Sequence, residues 1–125
     1  MANVDVLLAK ARERLERVTP EEADARRRAG ALLVDVRLNE QRRDDGTIPG
    51  AIVLSLNHIE WRLDPTSPSR LPEATGTDID IVVLCDEGYV SSLAAARLHD
   101  LGLTRATDMI GGFQAWRAAG LPVER

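Results

Sequence analysis

The chain has very few of the residues that build disulfides and metal sites. Its 125 residues include one cysteine and two histidines. One cysteine cannot form an internal disulfide, which fits a reducing compartment. Cys85, His58 and His99 also lie at spacings unlike those of a metal site. We therefore expect neither a structural disulfide nor a bound metal.

Long apolar runs and a positive net charge are also missing. No stretch approaches the roughly 20 apolar residues that a membrane span needs. Residues 1–10 lack the basic flank and apolar core of a secretory signal. A formal net charge of −4 argues against a general attraction to nucleic acid or anionic membranes. These absences predict a soluble, cytoplasmic protein with no nucleic-acid or membrane partner.

Short apolar runs alternate with helical patterns along most of the chain. The apolar runs predict strands within residues 31–36, 51–54, 79–84 and 106–110. Before the first of these runs, Thr19 is suited to cap a helix, Pro20 to occupy its first position and Glu22 to complete a capping box. This alternation predicts an α/β fold with a parallel sheet covered by helices on both faces.

An amphipathic pattern precedes the first strand. Apolar residues recur there at helical spacing, at Val4, Leu8, Ala11, Leu15 and Val18. We expect an N-terminal amphipathic helix over residues 1–18, followed by one domain over residues 19–125.

The segment after the third apolar run carries the only thiol. Cys85 stands at the end of that strand, where open α/β sheets bind their ligands. Gly88 permits a tight bend with a positive φ, and a helix is expected to start near Ser91 or Ser92. Such a curl aims backbone N–H groups at one point beside a helix N-terminus, where a thiolate would be stabilised and reactive. An inert core cysteine is the alternative, and the loop alone does not separate the two.

Four motifs in sequence order resemble the rhodanese-like (sulfurtransferase) family. They are Asp35-Val36-Arg37, Gly46-Thr47-Ile48-Pro49-Gly50-Ala51, Cys85-x-x-Gly88 leading into Ser91, and Gly111-Gly112-Phe113-x-x-Trp116. The resemblance covers roughly residues 19 to 122. It departs at Thr47, where the family has histidine, and at Val90, where active members often carry arginine.

The resemblance implies about five parallel strands with helices on both faces. It also implies that Cys85 accepts a sulfane sulfur as a persulfide and passes it to a nucleophile, without a metal or organic cofactor. The partners would be a small sulfane-sulfur donor and a thiol or cyanide-like acceptor, with a protein as a further candidate acceptor. The backbone of one loop would bind the donor: Asp86, Glu87, Gly88, Tyr89, Val90 and Ser91.

The charges of this loop bear on the choice of donor. Asp86 and Glu87 are acidic, and no basic residue lies between Cys85 and Ser91. A carboxylate about 6 Å from the sulfur would oppose the thiosulfate dianion by up to roughly 3 kcal/mol. A helix N-terminus returns only about 0.3 to 1 kcal/mol at an exposed site. The composition therefore favours a donor other than thiosulfate, unless the carboxylates point to solvent and are screened.

Three residues outside the loop are candidate supporting residues. Asp35 either orients the loop by accepting its N–H groups or simply caps its strand. Arg37 either supplies the positive charge missing at Val90 or, as the simpler alternative, forms a structural ion pair with Asp35, Glu40 or Asp44. Arg62 is a weaker candidate for the same charge.

Ser91 and Ser92 are expected first as N-caps, with one hydroxyl also placed to contact the sulfur.

Two other functions compete with sulfur transfer. A non-catalytic rhodanese-like module that binds a protein partner is the main rival. The presence of Cys85 favours an enzyme, whereas valine in place of the loop arginine at position 90 favours a module. A tyrosine or dual-specificity phosphatase fits less well. Phosphate chemistry on a cysteine loop would need a longer loop and an arginine to clamp the phosphoryl oxygens.

Overall fold

The computed structural model describes residues 1–125 without a gap. The helices are α1 (Asn3–Glu13), α2 (Pro20–Arg28), α3 (Asn39–Asp45), α4 (Ile59–Leu63), α5 (Val90–His99) and α6 (Gly112–Ala118). The strands are β1 (Leu32–Asp35), β2 (Ile52–Val53), β3 (Ile81–Leu84) and β4 (Ala106–Asp108). None of the helices has the length and apolar character that a membrane span requires.

The strands form one parallel sheet in the order β2-β1-β3-β4. The predicted α/β class is confirmed, but the sheet has four strands rather than about five. A fifth position beside β4 is occupied by a single bridged residue, Val18. Its N–H donates to the Asp108 carbonyl at 3.1 Å, and its carbonyl accepts from Ile110 N–H at 2.8 Å. The pairing stops there because Thr19 already caps the next helix.

Alternate side chains of each strand enter two separate cores. On one face, Val34 and Val83 pack with residues of α4 and α5. On the other face, Leu33 and Val82 pack with residues of α2 and α6. Helices therefore cover both faces, as predicted. In sheets of this kind ligands bind beyond the carboxyl ends of the strands, which here are the ends of β1, β3 and β4.

The N-terminal helix is shorter than its apolar pattern predicted. It ends at Glu13, because the chain must become extended by Val18 to pair with β4. Val4, expected on the buried face, is 62% exposed. Helix α1 packs against α5, and Arg14 forms an ion pair there with Asp100 at 2.8 Å.

The capping box predicted at the start of α2 is present. The Thr19 hydroxyl accepts from Glu22 N–H at 3.1 Å, and the Glu22 carboxylate accepts from Thr19 N–H at 2.9 Å. Pro20 occupies the first position of the helix. The box turns the chain sharply from the bridged Val18 into α2.

Candidate active site

Cys85 lies one residue beyond β3, at the carboxyl edge of the sheet. Its side chain is buried, and Sγ accepts a hydrogen bond from Gly88 N–H at 3.2 Å. Gly88 has the predicted positive φ, +90°. A Cβ added at Gly88 would lie 2.8 Å from the backbone nitrogen of Gly111. Both the backbone conformation and the close packing therefore require glycine at this bend.

The first carbonyls of the loop are held by α6. The N–H of Phe113 donates to the Cys85 carbonyl at 2.8 Å, and the N–H of Gln114 donates to the Asp86 carbonyl at 3.1 Å. A Cβ on Gly112 would lie 2.5 Å from the Cys85 carbonyl oxygen, so the loop and α6 meet backbone to backbone. This close contact explains why the closing motif has glycine at position 112.

Most N–H groups of the loop have no protein acceptor. Helix α5 starts at Val90, within the last residues of the loop, so the positive end of its dipole faces the same region. Backbone N–H groups gathered at a helix N-terminus form an anion site. Those without a protein acceptor belong to Asp86, Glu87, Tyr89, Val90 and Ser91.

Two serines link the sulfur to a buried carboxylate. The Ser91 and Ser92 hydroxyls donate to Asp108 Oδ2 at 2.8 and 2.7 Å, and Ser91 Oγ lies 3.3 Å from Cys85 Sγ. The expectation that these serines are N-caps is wrong, because α5 already begins at Val90. The other role considered, a hydroxyl against the sulfur, is found at Ser91.

A cavity of about 320 Å³ opens beside Cys85. The two acids of the loop are placed differently around it. Asp86 accepts from Gln114 Nε2 at 2.9 Å, which ties its carboxylate to α6, whereas Glu87 is exposed. Four exposed apolar side chains also line the cavity: Leu38, Leu56, Tyr89 and Val90.

Asp35 and Arg37 are bound mainly to each other. The guanidinium makes a buried ion pair with Asp35 at 2.8 Å and donates to the Gly46 carbonyl at 2.9 Å. It also stacks 3.8 Å from the centre of the Phe113 ring. Asp35 accepts from Arg37 N–H at 3.0 Å and from no N–H of residues 86–91. The structure therefore contains the ion pair, and Asp35 does not reach the loop.

Arg62 is not brought to the Cys85 cavity. It lines a separate, larger cavity of about 640 Å³ together with Trp61, and Cys85 is not among the residues around that space. Its Nη1 donates to the Ser69 carbonyl at 2.6 Å. The position gives Arg62 no contact with the loop.

Sequence reasoning missed three residues around the loop. Asp108 ends β4, and its place at a strand's carboxyl end is a signal that could have identified it. Arg17 pairs with Asp108 at 2.8 Å, and Arg12 donates to the Gly88 carbonyl at 2.7 Å. Neither arginine had a local signal, because they act about 70 to 90 positions away along the chain.

Comparison with known proteins shows what the chain is similar to. The model of the Rhodanese-like domain family matches residues 19–119. A thiosulfate sulfurtransferase GlpE of Pseudomonas fluorescens is 36% identical over 105 residues, covering 82% of this chain and 85% of the relative. A sulfurtransferase of Allochromatium vinosum is 35% identical, covering 74% of this chain and 77% of the relative.

Two solved structures extend the likeness to the fold. A Rhodopseudomonas palustris protein of unknown function, described as a possible tyrosine phosphatase, superposes with a TM-score of 0.87 at 33% identity. It covers 99% of this chain and 96% of its own. The human single-domain sulfurtransferase TSTD1 superposes with a TM-score of 0.67 at 27% identity, covering 82% of this chain and 95% of its own. The chain belongs to the Rhodanese-like domain family.

Proposed function

We propose that this protein is a sulfurtransferase or persulfide carrier that moves a sulfane sulfur through a persulfide on Cys85. The proposal rests on one observation above the others. Cys85 Sγ sits inside a curl of backbone whose Gly88 N–H already donates to it, while five further N–H groups of residues 86–91 have no protein acceptor. The names of the curated relatives support the same general class.

The reaction has two displacement steps at sulfur. The Cys85 thiolate attacks the outer sulfur of a donor such as glutathione persulfide, and the donor's S–S bond breaks. Glutathione thiolate leaves with the electron pair, and Cys85 carries the new persulfide with the donor's proton. A nucleophile such as cyanide then attacks the outer sulfur, and the S–S bond of the Cys85 persulfide breaks. The outer sulfur leaves as thiocyanate, its proton passes to solvent, and the electron pair of the broken bond restores the Cys85 thiolate.

The surroundings of the cavity favour a persulfide donor over thiosulfate. No basic side chain belongs to residues 86–91, and the guanidinium of Arg37 is already paired with Asp35. The backbone N–H groups, together with the one unpartnered nitrogen of Arg37 (Nη1), would have to hold the sulfonate of thiosulfate. The exposed apolar residues Leu38, Leu56 and Tyr89 instead suit a larger and less charged donor.

A comparison of two donors tests this function. We expect thiocyanate formation from glutathione persulfide and cyanide with a kcat/KM at least about tenfold above that with thiosulfate, and no rate above the uncatalysed reaction in Cys85→Ser. A protein inactive with both donors would contradict the sulfurtransferase assignment. A protein that prefers thiosulfate would contradict the donor assignment alone.

A non-catalytic protein-binding module is the second candidate. The apolar side chains around the cavity favour it, since Leu38 is 64% and Tyr89 62% exposed. Absence of sulfur transfer with retained folding would support this module. Phosphatase chemistry is not proposed, because residues 86–91 contain no arginine to clamp a phosphoryl group.

A further inference from the structure

We propose that Arg12 and Arg17, which precede the segment matched by the family model, are positioning residues that hold the Cys85 loop in its anion-binding form. The inference rests on the proposed function and adds two residues to its site. Arg12 Nη2 donates to the Gly88 carbonyl at 2.7 Å, and Arg17 Nη2 donates to the same oxygen at 3.1 Å. Two guanidinium groups thus hold one carbonyl of the loop.

Holding this carbonyl determines where the next N–H points. The peptide group between Gly88 and Tyr89 is planar and trans, so its N–H and C=O point in opposite directions. With the carbonyl fixed against the arginines, the Tyr89 N–H is directed away from them, and it has no protein acceptor. The Arg12 guanidinium also lies 6.0 Å from the centre of the Tyr89 ring, close enough for a weak cation–π contact. The arginines therefore orient a donor of the loop without touching the substrate.

Arg17 also neutralises the carboxylate behind the sulfur. Its Nε and Nη2 donate to Asp108 Oδ1 and Oδ2 at 2.8 and 3.2 Å, and Asp108 is fully buried. Asp108 reaches Cys85 through one hydroxyl, that of Ser91. An unpaired carboxylate here would oppose negative charge on the sulfur. The ion pair keeps the two hydroxyls ordered while cancelling most of that repulsion.

Arg12 fastens the start of α5 as well. Its Nε donates to Ser92 Oγ at 3.1 Å, and Ser92 donates in turn to Asp108. Helix α1 carries Arg12 to this place because it packs along α5. Each arginine thus bridges the loop and a second element. We call these contacts of Arg12 and Arg17 with the loop the brace.

Alkylation of Cys85 by two reagents tests the brace independently of sulfur transfer. Iodoacetate is an anion and iodoacetamide is neutral, so the ratio of their rate constants reports how well the loop accepts negative charge. We expect Arg12→Met to lower this ratio by about fivefold and sulfur transfer by roughly tenfold or more. Arg12→Lys, which keeps the charge and one donor group, should recover part of both.

Arg14→Met is the matched control. It removes an arginine that follows α1 and pairs with Asp100, the residue that caps the C-terminus of α5, with no contact to the loop. Its alkylation ratio and sulfur transfer should equal those of the parent. An equal loss in Arg14→Met and Arg12→Met would overturn the proposal, because docking of α1 alone would then explain the effect. Parent-like values in Arg12→Met would overturn it as well.

A double variant tests the role of Arg17 without leaving its buried partner unpaired. Arg17→Met alone leaves a buried charge unpaired, so Arg17→Met with Asp108→Asn removes both charges together while Asn retains a hydrogen-bond acceptor. We expect a folded protein with a lowered alkylation ratio, and an unchanged ratio would remove Arg17 from the brace. If the parent forms no persulfide yet the Arg12→Met ratio still falls, the brace stands and the proposed function fails.

Discussion

Gly88 does more for the site than allow a bend. Its N–H donates to the sulfur, its carbonyl is held by two arginines, and its Cα faces the backbone of Gly111. All three directions around this residue are occupied by groups that the loop needs. The conformation of the loop is therefore most sensitive to change here.

Gly88→Ala is predicted to lower sulfur transfer by about tenfold or more. A positive φ costs a non-glycine residue roughly 1 kcal/mol, and the new Cβ would lie 2.8 Å from Gly111 N, so the loop must move. Gly30→Ala is the control, because Gly30 has a φ of +108° with nothing within 4 Å of its Cβ position. Steady-state transfer rates and unfolding curves of both variants check this. Equal rates in Gly88→Ala and the parent would show that the curl is not needed.

Val90→Arg is predicted to raise kcat/KM for thiosulfate more than it raises kcat/KM for glutathione persulfide. Val90 is the first residue of α5, lines the Cys85 cavity and is 38% exposed. A guanidinium there would make one or two charge-assisted hydrogen bonds to a sulfonate, each contributing about 1.5 to 3 kcal/mol. The ratio of kcat/KM for the two donors should shift by roughly tenfold. Val90→Met is the control for side-chain length.

The salt dependence of that ratio tests the acids of the loop. Asp86→Asn with Glu87→Gln should also favour thiosulfate, and Asn at position 86 still accepts from Gln114. The gain should shrink in high salt, because exposed charges are screened. If neither set of substitutions changes the donor ratio, the backbone N–H groups already suffice for a dianion.

Among the secondary-structure elements, the short cap of α2 carries a titratable group. The backbone N–H of Thr19, and then its hydroxyl, lower the pKa of Glu22 below its ordinary value of 4.5. A carboxyl whose pKa is lower in the folded state stabilises the fold above its unfolded pKa. That stability is lost as the pH falls through the folded pKa.

Glu22→Gln is therefore predicted to reduce the acid sensitivity of the fold. The free energy of unfolding of the parent should fall as the pH drops below 4.5, and the fall should be smaller in the variant. The pKa of Asp64 is also lowered, first by the N–H of Thr66, but it contributes equally to both proteins. Denaturant titrations across this pH range are the measurement, with Glu21→Gln as control for loss of a first-turn charge. Identical pH profiles for all three proteins would contradict the role of the cap.

Elements with a strong local signal were predicted well from sequence. The cap of α2, the turn at Gly88 and the apolar strand that precedes Cys85 each depend on residues within a few positions. The predicted end of α1 was wrong, because the pairing of Val18 with β4 overrides the helical periodicity. The length of an element depends on partners that its own sequence does not reveal.

At the scale of the whole molecule, the candidate site is assembled from distant parts of the chain. The segment of residues 85–92, which comprises Cys85, the loop and the start of α5, meets α6 through its first carbonyls, and Asp108 and Arg12 through later groups. The cysteine and the glycine of this assembly were identifiable from sequence. Arg12 was not identifiable, because its partners depend on how α1 packs in three dimensions, whereas the position of Asp108 at the end of β4 was a signal that the sequence did offer.

The most direct test of the account is whether Cys85 carries a sulfur atom between donor and acceptor. The protein would be treated with glutathione persulfide, freed of excess donor, and weighed intact by mass spectrometry before and after addition of cyanide. We predict one added sulfur per chain, its complete removal by cyanide as thiocyanate, and no addition to Cys85→Ser. A parent protein that gains no cyanide-removable sulfur, or a Cys85→Ser variant that still gains it, would contradict transfer through this cysteine.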